Sequence, residues 1–287
     1  MARLRPARYI GGMRILALML VAVLAACAAP PPPVAVLAPP LPYPPSVRAR
    51  MVAVAEAEWR EWGSLVREVG DPAPQESPEA RLENFPRVLA YWLVAPDEDG
   101  AIRRNRDLYG AALAGEPRGA GLWRNPAWSA AFISYVMQRA GVDAREFRPT
   151  ASHAFYLDHI LKDAADYPDQ APFIPHLPDI YAPAVGDLVC ADRSRDPISR
   201  WTQRAADQGH FRPMHCDLVV AVAPGVVEAI GGNVADAVTR TRFPTDAQGR
   251  LLPNPAGGAV WFGVFENRLG RLGPWSSPGA LQGRPAA

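Results

Sequence analysis

Three residues far apart in the chain have the side-chain types of a hydrolytic triad: Ser129, His215 and Asn233. Ser129 lies in the first turn of a predicted helix, where unpaired backbone N–H groups and the helix dipole favour a developing anion. His215 begins a predicted strand, and Asn233 follows two glycines in the turn after the next strand. A serine nucleophile, a histidine base and an amide that orients the imidazole predict nucleophilic hydrolysis. The backbone N–H groups at the helix start, including that of Ser129, would then bind the oxyanion.

The same three residues also have ordinary structural explanations. Ser129 could be a common first-turn serine, and His215 a half-buried histidine with satisfied hydrogen bonds. Asn233 after two glycines could be a turn residue that tolerates a left-handed backbone.

Three further residues are candidate substrate contacts: Trp128, His153 and Asp217. Trp128 could stack on a sugar ring, although core packing is the default for a tryptophan. His153 could line the groove, although a lone histidine is more often structural. Asp217 shares a strand face with His215, but residues i and i+2 on one strand are ~6.5 Å apart. We therefore expect Asp217 to bond in the loop above or to be solvated, and not to hold His215 directly.

No metal or cofactor is expected. His210, His215, Cys216 and Asp217 are potential zinc ligands, but their spacing fits no common zinc pattern, and strand alternation points Cys216 away from His215. The turn Gly231-Gly232-Asn233 lacks the longer glycine pattern and the lysine of a phosphate-binding loop.

Helices and short strands must position these residues. Asn125 is a predicted N-cap with Pro126 at the first helical position, and Gly141 is a stop signal, which together predict a helix over 125–140. Other helices are predicted at 46–65, 79–93 and 153–162. Short alternating segments predict strands at 186–190, 215–222, 226–230, 234–243 and 259–265. A helix followed by short strands with Gly/Pro turns favours an α+β fold with an antiparallel sheet.

The first residues of the chain have the pattern of a secretory leader. Arginines precede an apolar run, Ile15 to Ala26, which as a helix would rise only about 18 Å, too short for a bilayer core of roughly 30 Å. The run ends in Leu-Ala-Ala-Cys27, which resembles the lipobox of bacterial lipoproteins, whose cysteine is acylated and becomes the new N-terminus. This predicts a lipid anchor and no membrane span. An ordinary signal peptide is the alternative, and either Met1 or Met13 could be the start.

The remaining cysteines, Cys190 and Cys216, are an even pair. A compartment outside the inner membrane permits disulfides, so one bridge is expected, with two buried free thiols as the alternative. Ala28 after the acylated cysteine resembles the sorting signal for the outer membrane, on its periplasmic face.

Composition divides the chain into five regions, and the net charge argues against one class of partner. The regions are a leader (1–27), a proline-rich tether (28–45), a helical N-terminal region (46–120), an α+β domain (121–270) and a flexible C-terminal tail (271–287). The 30 basic and 29 acidic residues give a net charge of +1, which argues against a dedicated nucleic-acid binder.

Several runs resemble the CHAP amidases and their NlpC-type relatives, which are papain-like cell-wall hydrolases. Trp128-Ser129-Ala130-Ala131-Phe132 is similar to their Trp-Cys-Ala-x-Phe helix start. Gly186-Asp187-Leu188-Val189 resembles their first strand, and His215-Cys216-Asp217-Leu218-Val219 the strand that opens with their catalytic histidine. Asn233 lies about where their orienting asparagine stands. As a whole the chain resembles the bacterial family called domain of unknown function 2272, and the resemblance covers roughly residues 120–266.

The resemblance implies a papain-like fold, a helix packed on a short-stranded antiparallel sheet or half-barrel. It also implies an amidase or endopeptidase that acts on peptidoglycan. The chain departs from the pattern at the nucleophile, because Ser129 replaces the cysteine. A serine hydroxyl must lose its proton to a base during the attack, whereas a thiol ionises readily. The alternative is a catalytically inactive papain-like domain that binds peptidoglycan or scaffolds envelope partners.

Overall fold

A computed structural model describes residues 43–72, 74–97, 99–117, 121–254 and 259–270. The leader with Cys27, most of the proline-rich tether and the C-terminal tail lie outside the described residues. No helix within the described ranges is long and apolar enough to cross a membrane.

Seven strands form one mixed sheet. They are β1 (Val66–Glu68), β2 (Phe173–His176), β3 (Leu188–Asp192), β4 (Met214–Ala223), β5 (Val226–Val234), β6 (Ala237–Pro244) and β7 (Val260–Asn267). The spatial order is β1-β6-β5-β4-β3-β7-β2, in which β1 runs parallel to β6 and every other neighbouring pair is antiparallel. The sheet is therefore larger than the short sheet or half-barrel expected from the sequence.

Within the described ranges, five α-helices accompany the sheet: α1 (Val47–Glu61), α2 (Phe85–Trp92), α3 (Ala101–Leu113), α4 (Ser129–Arg139) and α5 (His153–Asp166). Short 3-10 turns at Pro78–Ala80 and Leu82–Asn84 lead into α2, and a longer one spans Trp201–Asp207. The fold is thus mixed α+β, as the sequence predicts at that level.

The main core lies between the helices and one face of the sheet. It combines Met51 of α1 and Phe132 of α4 with Leu218 and Ile230 of the central strands. Alternation places Val219 of β4 in a smaller cluster on the opposite face. Because α1 shares this core and β1 extends the sheet, the helical N-terminal region and the α+β domain form one compact unit.

The structure corrects the expected start of the central helix. Asn125 is not its N-cap, because α4 begins only at Ser129, with Trp128 in the capping position. Ser129 is therefore the first residue of the helix. The shift brings its side chain closer to the positive end of the helix dipole than the sequence suggested.

Candidate active site

Ser129 is hydrogen-bonded to a histidine, but not to the one expected. Its Oγ atom lies 2.7 Å from Nε2 of His153, the first residue of α5. Both side chains are largely buried, with Ser129 7% and His153 4% exposed. The expected Ser129–His215 contact is replaced by this pair because α5 starts directly beside the start of α4. His153, considered above only as a substrate contact, occupies the position of a general base.

A tyrosine holds the other nitrogen of this imidazole. Nδ1 of His153 is hydrogen-bonded to the Tyr156 hydroxyl, one helical turn further along α5. Burial raises the pKa of Tyr156 well above its usual value, and the Asp217 carboxylate adds to that effect. Tyr156 therefore stays a neutral phenol, and its oxygen can accept a hydrogen bond from the Nδ1–H group. Ser129, His153 and Tyr156 form one continuous hydrogen-bonded chain.

Burial also keeps His153 uncharged. It lowers the pKa of His153 well below its usual value, with smaller contributions from His215 and Arg193. A neutral imidazole has one nitrogen free to accept a proton, which is the state that a general base requires.

His215 forms a second pair with Asp217. Nε2 of His215 lies 2.9 Å from Oδ1 of Asp217 on the same strand, and both residues are buried. We expected the i, i+2 spacing to prevent this contact, but the neighbouring strand makes room for it. A Cβ atom on Gly231 of β5 would lie 1.7 Å from that carboxylate oxygen. The absent side chain therefore lets Asp217 lean toward the imidazole.

The two histidines are neighbours although they belong to different pairs. Their ring centroids lie 5.4 Å apart, with the ring planes inclined by 59°. His215 Nδ1 is buried and has no hydrogen-bond partner among the described residues. His215 thus lies beside the Ser129–His153 pair without bonding to it.

Asn233 does not orient His215. Its Oδ1 accepts a hydrogen bond from the backbone N–H of Trp128 at the start of α4, at 3.3 Å, and its Nδ2 donates to Glu79 at 2.8 Å. Asn233 has a φ of 58°, the left-handed conformation that asparagine tolerates. In the structure, Asn233 links the end of β5 to the start of α4 through these hydrogen bonds.

Glu79 completes that connection and was not identified from the sequence. A single oxygen, Oε2, accepts hydrogen bonds from Asn233 and from Nε1 of Trp128 at 2.7 Å. Burial raises the pKa of Glu79 to about 7, against the lowering effect of the two hydrogen bonds. Only the short 3-10 turn at Pro78–Ala80 carries this residue, so no periodic pattern marks it as buried.

Trp128 is a core residue and not a sugar-stacking one. It is fully buried and stacks on Trp62, the residue that follows α1, with ring centroids 5.4 Å apart. Gly232 lies close against it: a Cβ there would come within 2.8 Å of the Trp128 ring and 2.5 Å of Phe132 Cβ. The double glycine therefore allows β5 to approach the start of α4.

Two cavities meet at this end of the sheet. The larger, called the Ser129 cleft, has a volume of about 570 Å³ and is lined by Ser129, His153 and Asn233 together with Phe155 and the highly exposed Phe211. The smaller, called the His215 cavity, has a volume of about 280 Å³. Its lining includes His215, Asp217 and Trp261. The three residues of the expected triad are therefore divided between two adjoining cavities.

The cysteines lie away from both cavities. A disulfide joins Cys190 of β3 to Cys216 of β4, at directly opposed positions of the antiparallel pair. Both residues belong to the main core. Among the described residues, no group of three or more His, Cys, Asp or Glu side chains is placed to hold a metal ion.

Comparison with known proteins identifies a family. No curated protein and no solved structure shows significant similarity to the chain. A bacterial family described as "Uncharacterized protein conserved in bacteria (DUF2272)" matches residues 79–264, from the buried glutamate to the last strand. The match covers more than half of the chain and includes Ser129, both histidines and Asn233, so the chain belongs to the DUF2272 family.

Proposed function

We propose that this chain is a lipid-anchored protein of the bacterial cell envelope that hydrolyses an amide bond in peptidoglycan, with Ser129 as nucleophile and His153 as general base. The observation that carries the proposal is the 2.7 Å hydrogen bond between Ser129 Oγ and His153 Nε2 at the start of a helix. A hydroxyl bonded to a neutral buried imidazole and facing a cleft is the minimal arrangement for nucleophilic acyl transfer.

In the first half of the reaction, Ser129 Oγ attacks the carbonyl carbon and passes its proton to His153 Nε2. Nδ1 of His153 keeps its own proton and donates a hydrogen bond to the Tyr156 hydroxyl oxygen. The first turn of α4 offers backbone N–H groups without intrahelical acceptors to the oxyanion. When the tetrahedral intermediate collapses, His153 donates the proton to the leaving amine, and an acyl ester remains on Ser129.

Water completes the reaction. His153 removes a proton from a water molecule, which attacks the ester carbon and forms a second tetrahedral intermediate. Its collapse breaks the bond to Ser129 Oγ, which regains a proton from His153. The products are a carboxylic acid and an amine, and the side chains return to their initial states.

The choice of substrate rests on the cleft and on the sequence. Aromatic and proline side chains, among them Phe155, Phe211 and Pro213, line the Ser129 cleft and suit a peptide or a peptide-linked sugar. The lipobox at Cys27 and the resemblance to CHAP and NlpC-type amidases point to the same substrate, the peptidoglycan. The papain-like arrangement, a nucleophile on a helix packed against a sheet that carries a histidine, is part of this proposal.

The test is release of soluble fragments from purified sacculi by residues 28–287 without the lipid, with mass spectrometry of the products. We expect Ser129→Ala and His153→Gln each to lower the release by about 10²–10⁴-fold. His159→Gln is the matched control, because His159 lies on the same helix and is bonded to Arg148 outside the cleft. Equal release by wild type and Ser129→Ala would remove Ser129 from the mechanism.

One observation favours the alternative, a domain that binds peptidoglycan without chemistry. Asp217, a buried carboxylate, is hydrogen-bonded to His215 and not to His153. A phenol stabilises a developing imidazolium less well than a carboxylate does. This alternative predicts sacculus binding that survives Ser129→Ala, measured by co-sedimentation, with no fragment release from either protein.

A further inference from the structure

Arg193 lies where the two cavities meet. It follows the buried end of β3, and it is the only described residue that lines both the Ser129 cleft and the His215 cavity. Arg193 interacts electrostatically with one residue of each cavity. Its charge contributes to lowering the pKa of His153 in the Ser129 cleft, and it is attracted to Asp217 in the His215 cavity. A group bound by Arg193 would therefore be close to the reacting hydroxyl.

The guanidinium of Arg193 has no hydrogen-bond or ion-pair partner within bonding distance in the part of the chain that the structure describes. The other arginine of the cleft differs, since Arg212 is bonded to Asp192, Asp207 and Ser194. The Arg193 side chain is exposed, as that of Arg195 is. Nearby protein still lowers the pKa of Arg193 by desolvation, while the Asp217 carboxylate opposes that change. An arginine remains protonated at neutral pH even so.

The backbone that carries Arg193 is held firmly. Its N–H donates to the carbonyl oxygen of Pro213 at 2.8 Å. The preceding residue, Asp192, is fully buried and accepts hydrogen bonds from the backbone N–H groups of Ser194 and Ile198. Because this backbone is already fixed, binding of an anion orders only the side chain of Arg193 and not the loop that carries it.

We propose that Arg193 is a carboxylate-binding residue, which selects peptides that bear a free carboxylate close to the amide bond held at Ser129. The planar guanidinium donates two parallel N–H bonds to both oxygens of a carboxylate, a geometry that an amide cannot reproduce. The substrate class is an acidic peptide that passes from one cavity to the other beside the two histidines. The inference depends on the proposed function for the identity of the reacting bond, but the binding step is testable without turnover.

The experiment measures binding in a Ser129→Ala background, which prevents turnover. The probes are a synthetic peptidoglycan stem pentapeptide with free carboxylates and the same peptide with its carboxylates amidated, titrated by calorimetry against residues 28–287. We expect the free acid to bind about tenfold to a hundredfold more tightly than the amide, as for a charge-assisted bond. Arg193→Gln should remove this preference while leaving the affinity for the amidated peptide unchanged, and Arg193→Lys should restore part of it.

Arg195→Gln is the matched control, because Arg195 lies exposed two residues along the same loop and lines neither cavity. Its preference for the free acid should equal that of the parent. The proposal would be overturned if the Ser129→Ala protein bound the two peptides with equal affinity or bound neither of them. It would also be overturned if Arg195→Gln lost the preference for the free acid. A different result would refute the proposed hydrolysis: no release of fragments from sacculi by the protein with Ser129 intact.

Discussion

Glu79 should make the stability of this protein fall as the pH rises, and Glu79→Gln should remove that effect. Oε2 of Glu79 accepts both hydrogen bonds, from Trp128 and from Asn233. The amide oxygen of glutamine has two lone pairs and can accept the same two bonds. The substitution therefore keeps the contacts and removes only the ionisation.

The size of the effect follows from the pKa of Glu79, which rises from 4.5 to about 7 on folding. In this interval the folded chain keeps the proton and the unfolded chain releases it. The contribution of Glu79 to the free energy of unfolding is therefore fully present below pH 4.5 and is lost as the pH rises to about 7. At 1.36 kcal/mol for each pKa unit, the loss is about 3 kcal/mol. Above pH 7 the glutamine variant should be the more stable protein by that amount, and below pH 4.5 the two should be equal.

The assay is urea unfolding of residues 28–287 at intervals between pH 4.5 and 8, with the free energies of wild type and variant subtracted at each pH. The subtraction is needed because His153 acts in the opposite direction: its lowered pKa makes stability decrease as the pH falls below 6.5. That contribution is common to both proteins and cancels. Glu83→Gln, at an exposed glutamate of the next turn, should leave the pH profile unchanged. Parallel profiles for wild type and Glu79→Gln would refute the assignment of a raised pKa to Glu79.

Two further predictions concern the sheet. Gly231→Ala should lower the free energy of unfolding by about 2–3 kcal/mol, since the new Cβ would overlap a buried carboxylate. Gly110→Ala, at a helical glycine with open space around it, should instead stabilise by about 0.5–1 kcal/mol; equal effects in thermal melts would contradict the packing argument. Replacing Cys190 and Cys216 together by alanine should lower the free energy of unfolding by about 3.5 kcal/mol, as expected for a loop of 26 residues. An unchanged urea midpoint for that double variant would show that the bridge contributes no stability.

Local sequence patterns predict the longer strands of the sheet but not its two short edge strands. Alternation and Gly/Pro turns predict the five strands from β3 to β7, each to within a few residues of its observed bounds. The edge strands β1 and β2 were missed, because three and four residues are too few to show a period and β2 contains Pro175. The helix α3 was also missed, since its run of arginines and its internal Gly110 weaken the helical pattern.

The candidate site shows a different limit. Sequence motifs indicated Ser129, His215 and Asn233, and the fold brings all three to one end of the sheet. Which side chains bond to one another depends on packing that spacing does not determine. His153 reaches Ser129 because two helices start side by side, and Asp217 reaches His215 because Gly231 leaves room. Both causes lie in neighbouring elements, outside the motif itself.

The contacts that hold the described chain together also affect how it folds. Asn233 bonds to Glu79 across 154 residues of sequence, and Asn267 at the end of β7 donates to the Met51 sulfur of α1 across 216. Contacts of such separation close late and slow the folding of a chain. The contact between α1 and β7 therefore forms only when most of the described chain is present. Until residue 267 is available, the incomplete chain is open to aggregation, and loss of either end of the described fold would leave the other without its partner.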